Sequence, residues 1–173
     1  MAQQTQNMMK KIKLEKVVLN MGVGKSGDAI LIAKTALDQI SGNKSCARNA
    51  KATQRDWGVR KGEPIGVAIT SRGKDAEALL KRLLDAKGNQ IKGSSFDNSG
   101  NVSFGILEHI DIPGIKYDPN IGILGLDVAV SFSRPGFNIR LRSRHKAKIG
   151  KKHRINSDEA KEFLKREFGV DII

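Results

Sequence analysis

Pro64-Ile65-Gly66-Val67-Ala68-Ile69-Thr70-Ser71-Arg72 runs directly into Gly73-Lys74-Asp75-Ala76-Glu77-Ala78-Leu79-Leu80-Lys81-Arg82-Leu83-Leu84, and the apolar period changes between the two segments. In the first, Ile65, Val67 and Ile69 alternate with Gly66, Ala68 and Thr70, the period of two that sets one face of a strand against a core. In the second, Ala76, Leu79, Leu80, Leu83 and Leu84 fall at i, i+3, i+4, i+7 and i+8. That is one stripe of a helix, with Asp75 placed to cap it and Gly88 to end it. A one-sided strand feeding a one-sided helix is the unit from which a sheet covered on a single face is built.

The flanking sequence extends this unit. Leu14 to Met21 predicts a strand that ends at Gly22. Asp28 is placed to cap a helix whose face carries Ile30, Leu31, Lys34, Leu37 and Ile40 and which stops at Ser41-Gly42. From Asn43 the chain is basic, with too little apolar content for a core element. Phe96 to Gly100 reads as a turn, and Val102 to Ile110 and Leu126 to Ser133 read as strands. A last helix starts at Ser157, carries Asp158 and Glu159 in its first turn and Ala160, Phe163, Leu164 and Phe168 on one face, and ends at Gly169. Strands and helices do not alternate regularly, so a doubly wound parallel sheet is not expected. The fold class is α+β: a mainly antiparallel sheet with helices packed on one face. The other face, with residues such as Asn20, Ala68 and Thr70, either meets solvent or docks a partner.

The chain has 173 residues, enough for one domain spanning 1–173 that buries about 70% of the surface its unfolded form exposes. It holds 31 Lys and Arg against 18 Asp and Glu, a formal charge of +13. No acid occurs between Val128 and Ser157, where Arg134, Arg140, Arg142, Arg144, Lys146, Lys148, Lys151, Lys152 and Arg154 form a basic tract over 134–154. A second cluster, a basic loop over about 44–62, carries Lys44, Arg48, Lys51, Arg55, Arg60 and Lys61 against Asp56 alone. Clustered cations, with Arg prominent, create a potential suited to a polyanion, since guanidinium matches phosphate geometry. A membrane partner is not expected: the N-terminal residues lack the apolar run of a secretory signal, and no later stretch approaches the ~20 apolar residues a bilayer requires. With Cys46 as the one cysteine, disulfides and paired-cysteine zinc sites are excluded within the chain.

Three strings imitate chemistry. Gly22-Val23-Gly24-Lys25-Ser26-Gly27 fits G-x-G-x-x-G, the basis of a rival reading as a nucleotide-binding enzyme. The acid expected ~20 residues on is absent, and Leu19 stands where a phosphate loop needs its first glycine. A tight strand-to-helix turn explains the glycines instead. Glu108, His109 and Asp111 cluster before Pro113-Gly114, but neighbours on a strand diverge. Cys46 has no His near it in sequence. No catalytic pair, metal set or cofactor site is assigned. Trp57, in Arg55-Asp56-Trp57-Gly58-Val59-Arg60-Lys61-Gly62, is different: core packing is the usual fate of a tryptophan, but a loop bounded by cations and glycines suits equally an exposed ring able to stack on a base.

Further strings occur together in order: Val18-Leu19-Asn20-Met21-Gly22-Val23-Gly24, Ile40-Ser41-Gly42-Asn43-Lys44, Arg60-Lys61-Gly62-Glu63-Pro64-Ile65-Gly66, Thr70-Ser71-Arg72-Gly73, Ser95-Phe96-Asp97 and Glu108-His109-Ile110-Asp111. Over nearly the whole chain they resemble the large-subunit ribosomal protein L-five family, the 5S-rRNA binder of the central protuberance. Gly114-Ile115-Lys116-Tyr117-Asp118-Pro119 and the basic tract resemble its archaeal and eukaryotic branch, and the short C-terminal end resembles the archaeal members. The resemblance implies a cytoplasmic, ribosomal scaffold without catalysis, whose partners are 5S rRNA, large-subunit rRNA, P-site tRNA and neighbouring large-subunit ribosomal proteins. It implies 5S rRNA contacts at Asn20, Asn43, Lys44, Thr70 and Arg72, with Asn43 standing where the family often has glutamine. It implies a loop toward P-site tRNA carrying Lys51, Arg55, Trp57, Arg60 and Lys61, with Trp57 where phenylalanine is common. The tract from Arg134 to Arg154 is implied to line ribosomal RNA or neighbouring proteins.

Overall fold

The computed structural model describes residues 7–24 and 26–173, so Lys25 of the glycine-rich string lies outside the described residues. Strands β1 (Lys13–Gly22), β2 (Cys46–Asn49), β3 (Pro64–Ser71), β5 (Val102–Ile106) and β6 (Leu126–Ser133) form one sheet in the order β2-β3-β1-β6-β5. Every neighbouring pair is antiparallel. Between β3 and β5, β4 (Gln90–Ile91) pairs in parallel with β7 (Asp171–Ile172) at the end of the chain. The central strand β1 turns Val17, Leu19 and Met21 to one face. There they meet Val67 and Ile69 of β3, Val128, Val130 and Phe132 of β6, and Val102, Phe104 and Ile106 of β5 in one buried cluster.

Three helices cover that face and fill the cluster. Helix α1 (Asp28–Ser41) buries Ile30, Ala33, Ala36, Leu37 and Ile40, and α2 (Lys74–Ala86) buries Ala76, Leu79, Leu80, Leu83 and Leu84. Helix α4 (Ser157–Phe168) buries Ala160, Phe163 and Leu164, with Phe163 edge-to-face on Phe132 at 5.4 Å. Each buried leucine or phenylalanine contributes about 1.5–3 kcal/mol. A single helical turn, α3 (Asn138–Leu141), lies in the basic tract.

Several sequence expectations are corrected. Leu31 and Lys34 are not buried, and Ala33 and Ala36 take their place on the α1 stripe, because at 100° per residue those alanines continue the line of Ile30, Leu37 and Ile40. Asp28 and Asp75 stand inside the first turns, while Gly27 and Gly73, both at positive φ, occupy the cap positions. Asp28 and Asp75 then complement the helix dipole without capping it. The strand expected through Ile110 stops at Ile106. His109 turns inward instead, 1% exposed, its backbone N–H donating to Leu124 O at 3.0 Å and its Nδ1 accepting the Leu124 N–H at 3.3 Å. The basic stretch from Asn43 supplies no core element, in line with its composition, but it does form strand β2. It is an edge strand with all four residues exposed, so it needs no apolar pattern.

Arg134 is the largest correction, because it is not a surface cation. Its side chain is 6% exposed; Nη2 donates to Glu159 Oε1 at 2.9 Å and Nη1 to Arg154 O at 3.1 Å and His153 O at 3.4 Å. The guanidinium therefore closes the base of the basic tract and ties it to α4. Glu159 also accepts the Asn156 N–H in the α4 capping box. Partial burial pushes the Glu159 carboxyl up, but hydrogen bonds from Arg134 and Asn156 and the charges of Arg134 and Lys10 outweigh this and hold it below the ordinary glutamate value.

Two tests follow from this packing. Gly66 faces Gly22 across β1 and β3, and a Cβ there would lie 2.8 Å from Met21 O, a backbone atom that cannot swing aside. Gly66→Ala is expected to cost about 1–3 kcal/mol in urea unfolding. A depressed carboxyl stabilises the fold above its unfolded pKa and stops doing so as pH falls through the folded value. Glu159→Gln is thus expected to be less stable than the parent at pH 7, with the gap closing below about pH 4.5. Parallel urea midpoints at pH 7 and pH 3 measure this, and an equal gap at both would remove the ion pair as its cause.

Candidate RNA interface

The sheet's second face carries no helix residue of the core cluster, and the strand register fixes what it displays. Cys46, Ala68, Asn20, Asp127 and Gly105 form one row across all five strands. Thr70, Val18, Ala129 and Ser103 form the next row across four. Asn20, Thr70, Cys46, Asp127, Ala129, Ser103 and Gly105 are exposed, whereas Ala68 is buried, its methyl lying between the longer side chains of Cys46 and Asn20. Small side chains make this surface flat. An amide on the central strand and hydroxyls on β3 and on the edge strand β5 offer donors and acceptors, and cations accompany them: Arg48 on β2, Arg72 just past β3, and Lys16 near the start of β1.

The turn that carries Asn43 and Lys44 lies at one end of the sheet, where Asn43 lines a depression with Asp75, Ala78, Leu79 and Arg82 of α2. Gly42 adopts φ 70° and donates its N–H to Asp38 O, reversing the chain out of α1. Ser41 Oγ donates to Leu37 O at 2.8 Å and accepts the Asn43 N–H at 3.3 Å, and Asp38 Oδ1 accepts the Ser45 N–H. Arg82 Nη1 donates to Ile40 O at 3.2 Å from α2. Because Cys46 pairs with Ala68, the antiparallel register brings the Asn43–Lys44 turn to the Thr70 end of β3. Asn20 and Thr70 thus lie on the open face, Arg72 follows the end of β3, Asn43 and Lys44 lie beside that end, and all five are exposed.

The basic loop is an ordered projection with two rungs. Ala50 and Glu63 close its base through Ala50 N–H to Glu63 O at 2.8 Å, and Gln54 and Val59 exchange bonds of 2.8 and 3.1 Å nearer the tip. Lys61 N–H donates to Thr53 Oγ1 at 3.1 Å and Arg60 N–H to Glu63 Oε2 at 3.0 Å. The tip is a short 3-10 turn, Arg55–Trp57, ended by Gly58 in the left-handed region. Trp57 stands 80% exposed there, and Lys51, Arg55, Arg60 and Lys61 make no ion pair among the described residues.

Beyond Arg134 the tract folds back on itself. Arg142 Nε donates to His145 O at 2.8 Å, Ala147 N–H to Ile139 O at 3.3 Å, Arg154 Nε to Ile149 O at 3.3 Å, and His153 Nε2 lies 2.9 Å from Pro135 O. Phe137 stacks edge-on against His153. Arg140, Arg142, Arg144, Lys146, Lys148, Lys151, Lys152 and Arg154 remain exposed, so eight of the nine cations face outward.

The glycine-rich string is a strand-to-helix connection. The amides of Val23 and Gly24, which a phosphate loop would aim at its ligand, both donate to Ile65 O. Sequence reasoning missed Arg48, Ser103 and Asp127 as members of the open face. For Asp127 and Ser103 the signal was present: alternation in their strands places them opposite the apolar residues.

Two family descriptions and several relatives match this chain. Residues 7–60 match the family described as ribosomal protein L5, and residues 64–163 match the one described as the C-terminus of that ribosomal family. The division falls between β2 and β3, two strands that pair in the sheet. The large ribosomal subunit protein uL5 of Nitrosopumilus maritimus is 69% identical over 172 residues, 99% of each chain. That of Cenarchaeum symbiosum is 67% identical over 165 residues, 95% of this chain and 98% of the relative. The Sulfurisphaera tokodaii protein of the same name is 53% identical over 98% of this chain and 97% of its own. With a flat polar sheet face, two cationic projections and this identity to archaeal relatives, the chain belongs to the ribosomal protein L5 family of the large ribosomal subunit.

Proposed function

We propose that this protein is a non-catalytic scaffold, folding as one unit, that binds 5S rRNA with its open sheet face and anchors it in the central protuberance. The observation that carries the reading is the open sheet face shared by Asn20 and Thr70, where an amide, hydroxyls and the Asp127 carboxylate lie among the cations Lys16, Arg48 and Arg72, with the Asn43–Lys44 turn at its Thr70 end. Folded RNA is read by shape, ribose hydroxyls and the edges of unpaired bases, while phosphates are neutralised nearby. Neutral amide and hydroxyl groups serve the first task, and Lys44, Arg48 and Arg72 serve the second. The loop with Trp57 at its tip reaches toward P-site tRNA, where an exposed ring can stack and Lys51, Arg55, Arg60 and Lys61 meet phosphates. The tract beyond Arg134 meets large-subunit rRNA and neighbouring ribosomal proteins.

Binding of 5S rRNA is expected to weaken steeply with salt, with a log–log slope of about −0.7 to −0.9 per phosphate neutralised. Asn20→Ala and Thr70→Ala are each expected to cost about 1–3 kcal/mol of affinity, because each leaves an RNA group unpaired. Filter binding with unrelated RNA and duplex DNA as competitors measures both, and unchanged affinity in the two variants, or equal competition by DNA, removes the assignment. Trp57→Ala is expected to leave 5S affinity intact and to weaken P-site tRNA retention on reconstituted subunits. A large loss of 5S affinity in that variant would place the loop on the wrong partner.

A further inference from the structure

Eight exposed cations in about twenty residues, with no acid among them, make a composition that ordinarily stays disordered, because like charges repel and little apolar surface is buried. The basic tract nevertheless has fixed ends and a closed base. Phe132, two residues before Arg134, and Ile155, the residue after Arg154, are both buried. Ile155 packs so closely on Gly100 that a Cβ on that glycine would lie 2.7 Å from Ile155 Cγ2. Three contacts then join the entering segment to the leaving one. Arg134 Nη1 donates to the carbonyls of His153 and Arg154, the latter 20 residues on. His153 Nε2 meets Pro135 O, and its ring stands edge-on to Phe137 at 5.7 Å. Gly136, at φ 93°, sits against the N-terminal turn and the leaving segment together: a Cβ there would lie 3.6 Å from Met9 Cε and 3.8 Å from His153 Nε2.

Glu159 governs this closure from outside the tract. Its carboxylate accepts from Arg134 Nη2 and from the Asn156 N–H, so it is itself held by the start of α4. The guanidinium is planar: fixing Nη2 on α4 fixes the plane of the fork, and with it the direction in which Nη1 donates to the leaving segment. We propose that Glu159 is a positioning residue for RNA binding: acting through Arg134, it holds the basic tract in one conformation in the free protein, so that its eight outward cations meet large-subunit rRNA at a fixed spacing. This rests on the reading of the tract as an rRNA contact given above. A tract ordered beforehand has little freedom left to lose on binding, whereas a slack one loses it then. The consequence has a distinctive sign. A bystander carboxylate near a polyanion's docking surface weakens the attraction, whereas a positioning carboxylate strengthens it.

Glu159→Gln and Arg134→Lys are to be compared with the parent against two polyanions. One is large-subunit rRNA transcribed in vitro, added to protein already saturated with 5S rRNA; the other is poly(U), which is flexible and adapts to any spacing of cations. Both variants are expected to bind the rRNA about tenfold more weakly and poly(U) within about twofold of the parent. Amide 15N relaxation of the free proteins gives the second readout. In the parent, Arg142, Ala147 and His153 are expected to be as rigid as β1; in the variants they loosen while β1 does not. A merely structural pair would lower the urea midpoint and leave both the relaxation and the rRNA affinity of the folded protein unchanged. Equal or tighter rRNA binding by Glu159→Gln overturns the inference, as does a tract already mobile in the parent or still rigid in both variants. Joint replacement of Lys148, Lys151 and Lys152 by alanine tests the underlying reading. If that variant binds rRNA like the parent, the tract is no rRNA contact and both readings fall; if it binds weakly while Glu159→Gln matches the parent, the positioning role falls alone.

Discussion

The alternation of β1 is the constraint on which the molecule depends. Lys13–Gly22 is the middle strand of five, and its period of two divides the protein into a buried half and a displayed half. Val17, Leu19 and Met21 anchor the cluster that holds α1, α2 and α4. Val18 and Asn20, between them, are thereby committed to the opposite surface. A one-residue slip of this strand would exchange the two sets, burying Asn20 and exposing Leu19. Stability and display are consequently set by the same register: the apolar burial that holds the sheet together also holds Asn20, Asp127 and Thr70 in fixed rows.

The basic tract raises the opposite problem, since eight exposed cations in about twenty residues repel one another. Its base is secured by burying the ninth. Arg134 offers its planar fork to two backbone carbonyls and to Glu159, which is itself fixed by the α4 capping box. Lysine could not reproduce this, because an ammonium lacks the fixed spacing of the guanidinium donors. The charge sacrificed to structure is the one at the junction, and those farther out stay free for a partner.

How much of this was legible depended on whether the signal was local. Leu126–Ser133 and the Ala76–Leu84 stripe were readable because burial on one face imposes a period within a few residues. Strand β2 was not, because an edge strand exposed along its whole length imposes none. Arg134 was unreadable for a related reason: within a run of nine like charges nothing nearby distinguishes the buried one, and its partner Glu159 lies 25 residues on. His109 was misplaced at the end of a strand because the Leu124 backbone that captures it comes from a distant part of the loop. Asn20 and Thr70 could be proposed as RNA contacts from sequence, but their placement in neighbouring rows with Asp127 required the sheet register, a tertiary fact.

In the proposed binding mode the charge distribution divides the task of recognition by distance. At physiological ionic strength the Debye length is about 8 Å, so a cation on a projecting loop attracts RNA before any contact forms, and does so for any sequence. Such charges on the sheet itself would hold many RNAs in many registers. The open face instead displays an amide and two hydroxyls, groups whose energies depend on hydrogen-bond geometry and vanish within a few ångströms. On that reading, long-range attraction from the projections and short-range hydrogen bonding on the sheet together would let a strongly basic protein associate rapidly and still discriminate.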